Sequence, residues 1–185
     1  MPEASRRSPF LGLSAPRNER AEVAFLPPMT RLILRGPEEA ARAARFGPEL
    51  SLQPLRAAEQ GPRAAIWQAP DEWLLIARDS EPKPLIEALE PALAAIPHGL
   101  VDVSHRQVAV EVVGPGAARL LNAGVPLDLD ISAFPVGMAA RTMLTKAEAL
   151  VWRCAPDRFR LEFARSFSGY VVGILAQAAA DQELC

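Results

Sequence analysis

The chain has 185 residues, half of them apolar and 23% charged, with a formal net charge of −2. That is enough chain for one substantial core or two small fused lobes, and a charge this near to neutral argues against a dedicated nucleic-acid surface, which needs clustered Lys and Arg. No apolar run approaches the roughly 20 residues of a membrane span, and no apolar stretch follows Arg6 and Arg7 as a secretory signal requires.

Residues 1–24 read as an arm without periodicity. Only Phe10, Leu11 and Leu13 break its polarity, so it either stays disordered or docks onto a partner. A first unit follows, at residues 29–99. It opens with a strand over Thr30–Arg35. Pro37 suits a first helical position, and Glu38 and Glu39 favour the positive end of the helix dipole. This helix is expected to run through Arg45 and stop at Gly47. Strands at residues 65–68 and 73–77 are turned by Ala69-Pro70-Asp71-Glu72, where Pro presets φ and Asp bonds the turn backbone. Ser80 then starts a helix with Leu85, Ile86, Leu89, Leu93 and Ile96 on one stripe, kinked at Pro91.

The second unit, residues 100–185, repeats the order. A strand covers 101–113, Gly114-Pro115 opens a helix and Gly124 closes it. Residues 126–135 form a loop, and strands are expected at 142–144, 149–153 and 159–163. Ser166 caps a last helix carrying Phe167, Tyr170, Val171, Ile174, Leu175 and Ala178. The echo is in the letters as well. Leu32-Ile33-Leu34-Arg35-Gly36-Pro37 recurs as Val110-Glu111-Val112-Val113-Gly114-Pro115, and Trp67-Gln68-Ala69-Pro70-Asp71 as Trp152-Arg153-Cys154-Ala155-Pro156-Asp157. Pro37 to Pro70 is 33 residues and Pro115 to Pro156 is 41, so the second unit carries about eight more. The fold class is α+β: two similar β-α-β-β-α units packed together, helices covering one face of each antiparallel sheet. Residues 25–185 then form a single module whose natural site is the junction of its halves.

At that junction stands Asp102-Val103-Ser104-His105-Arg106. In a strand, Asp102, Ser104 and Arg106 share one face while His105 points the other way, so a Ser-His-Asp triad is not formed. The five residues stitch the units by hydrogen bonds, line a ligand pocket, or serve catalysis, for which Asp102 and His105 are the only acid–base candidates. Asp128 and Asp130 lack a third carboxylate and read as solvated loop residues. Lys146 and Glu148 read as a weak strand ion pair, and Trp67, Trp73 and Trp152 as core. Cys154 and Cys185 give neither a disulfide framework nor a metal-ligand spacing, so both read as free thiols in a reducing cytoplasm. No catalytic and no metal site is assigned.

Two resemblances are carried by these residues. Asp102-Val103-Ser104-His105, then a strand, then Gly114-Pro115-Gly116-Ala117 resembles the glycine-cleavage aminomethyltransferase family, which implies a folate-binding-domain fold. The Asp-bearing segment that serves folate chemistry in that family is replaced here by Met143-Leu144-Thr145-Lys146-Ala147-Glu148, with no Asp. A resemblance over nearly the whole chain is to the gamma-subunit family of heterotetrameric sarcosine oxidases. It rests on Pro70-Asp71-Glu72-Trp73-Leu74-Leu75, Asp102-Val103-Ser104-His105-Arg106, Gly124-Val125-Pro126-Leu127-Asp128-Leu129, Phe134-Pro135-Val136-Gly137, Arg141-Thr142-Met143-Leu144-Thr145-Lys146 and Arg165-Ser166-Phe167-Ser168-Gly169-Tyr170.

What that second resemblance implies is a cytoplasmic, non-catalytic subunit of a complex that demethylates sarcosine oxidatively to glycine and hydrogen peroxide. The one-carbon unit passes to tetrahydrofolate. The FAD, FMN, NAD and tetrahydrofolate sites would belong to the alpha, beta and delta subunits, with no cofactor in this chain. Phe10, Leu11, Leu13, Arg165, Phe167 and Tyr170 are the expected partner contacts. The alternative is a stand-alone folate-binding or one-carbon transferase-like protein. It would use a pocket of Asp102, Ser104, His105, Arg106 and Arg141, with Arg106 or Arg141 facing a glutamate tail.

Overall fold

A computed structural model of the chain describes residues 8–183, with side chains through residue 181. In chain order the elements are β1 (Glu22–Phe25), β2 (Thr30–Arg35), α1 (Glu38–Ala43), β3 (Ala57–Gln60), β4 (Arg63–Ala69), β5 (Glu72–Ala77), α2 (Pro82–Leu93), β6 (Gly99–Asp102), β7 (Gln107–Val113), α3 (Ala117–Asn122), β8 (Ala139–Leu144), β9 (Ala147–Ala155), β10 (Arg158–Ala164), a short 3-10 turn (Arg165–Phe167) and α4 (Ser168–Glu183). They make two five-stranded sheets, β3-β4-β5-β2-β6 and β1-β7-β10-β9-β8, antiparallel throughout.

Strand alternation explains why these sheets stack. In β5, Trp73, Leu75 and Ala77 join Leu85, Leu89 and Leu93 of α2 in one cluster, while Leu74 and Ile76 belong to another. Successive side chains of a strand point to opposite faces, so β5 must be covered on both. The indole of Trp73 is wholly buried and donates Nε1–H to the Ser51 carbonyl at 2.8 Å. In β10, Phe159, Leu161 and Phe163 pack with Val171 and Leu175 of α4. Between the sheets lie Ile66, Leu74 and Ile76 of the first and Ala139, Leu150 and Trp152 of the second. The order of layers is therefore helices, sheet, sheet, helices. The face of each sheet left over by the helices is covered by the other sheet.

The duplication is visible in matching bonds. Gly36 N–H donates to the Asp71 carbonyl at 3.0 Å, and Gly114 N–H to the Asp157 carbonyl at 2.9 Å. Each ties the end of a lobe's first strand to the Pro-Asp turn of its hairpin. The extra length of the second unit is shared out. Pro37 to Ala57 is 20 residues against 24 from Pro115 to Ala139, and Ala57 to Pro70 is 13 against 17 from Ala139 to Pro156. Half of it lengthens the loop before β8 and half lengthens the β8–β9 hairpin.

Three expectations are corrected. The strand read at 101–113 is two, because the chain turns between β6 and β7: Arg106 N–H and Gln107 N–H both donate to the Val103 carbonyl, at 3.0 and 3.3 Å. β6 pairs with β2, so Leu100, Val101 and Asp102 belong to the first lobe. Within the described residues the arm packs against its own chain. Residues 1–7 lie outside the described part, but Phe10 stacks on Phe25 at 4.4 Å and meets Phe163 edge-on, and β1 pairs with β7. The helices are also shorter than read: α1 ends at Ala43, and the 3-10 turn precedes α4 where Ser166 was expected to cap.

β1 occupies in the second sheet the place β6 occupies in the first, antiparallel to the strand that opens the lobe. In the first lobe that strand follows α2; in the second it comes from the other end of the chain. Asn18 Nδ2–H donates to the Ala179 carbonyl at 3.4 Å, which brings the approach to β1 beside α4. A circular permutant, its old ends joined by a Gly/Ser linker and the chain opened between Pro27 and Pro28, is therefore expected to fold. Urea unfolding should find it within about 2 kcal/mol of the parent, since chain ends moved to an exposed linker are tolerated.

Candidate functional site

Two clefts open where the lobes meet, one on either side of the β6–β7 turn. The larger, about 1090 Å³, is lined by the crossing segment Leu26-Pro27-Pro28-Met29, the end of β5, the start of α2, Asp102, Ser104, His105 and Arg165. Asp102 Oδ1 accepts from Ser104 N–H at 2.9 Å and from Ser104 Oγ–H at 2.5 Å. Ser104 Oγ in turn accepts from Arg31 N–H at 3.0 Å, and Val103 N–H donates to the Arg31 carbonyl at 2.9 Å. The sequence segment thus builds the turn that joins the lobes, as short Asp and Ser side chains do. His105 is exposed and engages no polar partner among the described residues.

The smaller cleft, about 280 Å³, lies between the inner faces of the sheets and holds Arg106 and Arg141, with Arg35, Glu72 and Glu148. Glu72 sits between two guanidiniums, Arg35 Nε at 3.2 Å and Arg141 Nη1 at 3.7 Å, and Arg141 also pairs with Glu148. Glu148 takes the partner it was expected to find in Lys146. The five residues read as one pocket are therefore divided. Asp102, Ser104 and His105 face the larger cleft, and Arg106 and Arg141 face the smaller one.

Beneath both clefts is a group the sequence reading missed. Arg31 of β2 and Arg160 of β10 converge on Glu162 between the sheets, all three nearly inaccessible at 1%, 3% and 2%. Arg31 Nε donates to Glu162 Oε2 at 2.6 Å and Nη2 to Oε1 at 3.3 Å; Arg160 Nε donates to Oε1 at 2.8 Å. Met29 completes the shell, its carbonyl accepting from Arg31 Nη1 at 3.2 Å. These three charges are the polar centre of the lobe junction.

The remaining candidates are structural. Asp130 Oδ1 accepts from Ser132 Oγ–H at 2.6 Å and Ser132 N–H at 2.9 Å, which holds its carboxyl below the usual range. Asp128 Oδ1 accepts from Asp130 N–H at 2.9 Å. Arg153 is buried over the Phe159 ring at 4.4 Å and donates to the Leu129 and Pro156 carbonyls. Among the described residues no group of three or more His, Cys, Asp or Glu could hold a metal ion, and no helix is long and apolar enough to cross a membrane. Cys185 lies outside the described residues. Burial pushes the Cys154 thiol up to about 12. A raised thiol pKa means the folded chain keeps a proton that the unfolded chain loses, so stability should fall as pH rises from about 9, by up to about 1.4 kcal/mol per unit. Urea midpoints at pH 8 and pH 10 test the sign, and a thiol reagent at pH 8 should modify Cys154 only on unfolding.

Of the expected partner contacts, Phe10 is in this chain's own core and Leu13 packs against that core. Leu11 at 72%, Phe167 at 40% and Tyr170 at 37% remain exposed. Arg165 lines the larger cleft, and its N–H donates to the Arg106 carbonyl at 2.9 Å.

Comparison with known proteins decides the family. The sarcosine oxidase gamma subunit family model matches residues 37–181. The chain belongs to the sarcosine oxidase gamma subunit family. Within it, the gamma subunit from Corynebacterium sp. (strain U-96) is 31% identical over 118 residues, 64% of this chain and 57% of that one. The gamma subunit from Arthrobacter sp. is 36% identical over 116 residues, 62% of this chain and 56% of that one. The chain thus spans somewhat over half the length of these curated family members. In solved structures the likeness is longer. A chain of the heterotetrameric sarcosine oxidase from Corynebacterium sp. U-96, in complex with pyrrole 2-carboxylate, matches with a TM-score of 0.86 and 29% identity over 95% of both chains. Aminomethyltransferase T of the glycine cleavage system from Bartonella henselae shares the fold, at TM-score 0.66 and 14% identity, over 88% of this chain and 49% of that one.

Proposed function

We propose that this chain is the gamma subunit of a heterotetrameric sarcosine oxidase and that it contributes shape to the assembly, not catalytic groups. The observation that carries the reading is the end-to-end likeness to a chain of such an enzyme, 95% of both chains at TM-score 0.86. The junction chemistry agrees with it. Asp102 and Ser104 spend their polar atoms on the lobe-joining turn, and the ion group beneath them is internally paired. In this proposal the alpha, beta and delta subunits hold FAD, FMN, NAD and tetrahydrofolate in the cytoplasm and demethylate sarcosine to glycine and hydrogen peroxide. A stand-alone folate-binding or one-carbon transferase-like protein is not favoured, because its five pocket residues face two different clefts.

Such a subunit needs an extensive contact, of about 2,000 Å² or more for an obligate complex. Sedimentation of the purified chain mixed at micromolar concentration with an alpha–beta–delta preparation tests this. One four-chain boundary is expected; two boundaries at that concentration would reject the proposal.

A further inference from the structure

We infer that the smaller cleft and the adjoining edge of β8 dock an extended, carboxylate-bearing segment of a neighbouring subunit, an inference that rests on the assembly role proposed above. Three observations converge on this place. The first is charge. Arg35 and Arg141 share Glu72, Arg35 also reaches Asp71 and Arg141 also pairs with Glu148, while Arg106 is exposed and engages no carboxylate among the described residues. Beneath them Glu162 is shared by two buried guanidiniums, so the cleft floor carries one positive charge in excess, while on the rim Glu72, Glu148 and Asp71 balance the three arginines in number and leave Arg106 as the one without a carboxylate beside it. An anionic side chain is what this potential attracts.

The second is size and lining. About 280 Å³ is below the roughly 300–1,000 Å³ of small-molecule pockets and suits one or two side chains. Its lining mixes charged and apolar groups, with Val103 and Leu150 inside and Val101 more than half exposed at the rim. The third is an unfinished sheet. β8 is an edge strand, and Ala139 N–H reaches outward to the Leu55 carbonyl at 3.0 Å. By strand alternation Arg141 and Met143 present their main-chain groups to the same side, and no strand covers that edge among the described residues. Main-chain pairing along β8 would supply affinity and the arginine rim would select an acidic residue.

Complexes assembled from the alpha, beta and delta subunits with wild-type chain, Arg106→Glu, Arg106→Lys or Arg45→Glu provide the test. Arg45 is an exposed arginine beyond α1 and controls for net charge. Arg106→Glu should weaken assembly about tenfold or more and flatten its salt dependence, and Arg106→Lys should keep most of the affinity. Arg45→Glu should match wild type. Hydrogen exchange on the wild-type complex should show the Arg141 and Met143 amides protected relative to the free chain. If wild-type chain assembles but Arg106→Glu assembles equally well, or those amides stay unprotected, this inference is wrong while the subunit role stands. If wild-type chain does not assemble, both fall.

Discussion

Replacing Glu162 with Ala is expected to cost about 3–5 kcal/mol of stability, the usual penalty for removing one member of a buried ion group. Two guanidiniums at 1% and 3% exposure would then face each other between the sheets without a counter-charge. Water cannot rescue them unless the sheets separate, so the loss is expected to appear as loosening of the lobe junction. The same logic predicts the opposite outcome for full replacement. Arg31→Met, Glu162→Leu and Arg160→Met together remove every charge and should leave stability near the parent value or above it. Urea unfolding followed by circular dichroism measures both. A Glu162→Ala loss under about 1 kcal/mol would mean that the group is solvated and does not hold the lobes together.

Gly114→Ala should cost about 3 kcal/mol and release the N-terminal strand. Gly114 has φ of +123°, a conformation closed to residues with a Cβ, and an added Cβ would lie 2.4 Å from the Arg20 carbonyl oxygen. Backbone strain alone is worth about 1–3 kcal/mol. That carbonyl also accepts from Gly116 N–H at 2.8 Å, a bond that anchors the chain just before β1. The expected signature is faster exchange of the Val23 and Leu26 amides, which donate to the Pro16 and Ala109 carbonyls, together with a melting point lower by about 6–12 °C. Gly173→Ala supplies the contrast, because a Cβ there meets nothing within 4 Å and the position is inside α4. It should gain up to about 1 kcal/mol. Equal losses at both sites would contradict the assignment of Gly114 to a backbone contact.

The hairpins were legible because Pro70-Asp71 and Pro156-Asp157 carry turn chemistry inside two apolar runs, and both appear where expected. β3 was not, because Ala57-Ala58-Glu59-Gln60 has weak strand preference and forms only by pairing with β4. β1 is four residues long and its partner, β7, is some 85 residues away along the chain, so no local signal marks it. The repeat revealed the doubled architecture but not how the halves meet. Arg31, Arg160 and Glu162 fall on the alternate positions that usually face water, and only the stacking of the second sheet makes them interior. For the same reason the sequence did not show that the five candidate pocket residues line two clefts and not one. Asp102 and Arg106 are four residues apart, and the turn between them sends each to a different cleft.

The most direct test of the scaffold account is turnover by the assembled complex when this chain carries both Asp102→Asn and His105→Ala. The account predicts sarcosine oxidation and one-carbon transfer to tetrahydrofolate within about twofold of wild type. A fall of about a hundredfold in either rate with assembly intact, the scale of a lost general acid or base, would contradict it.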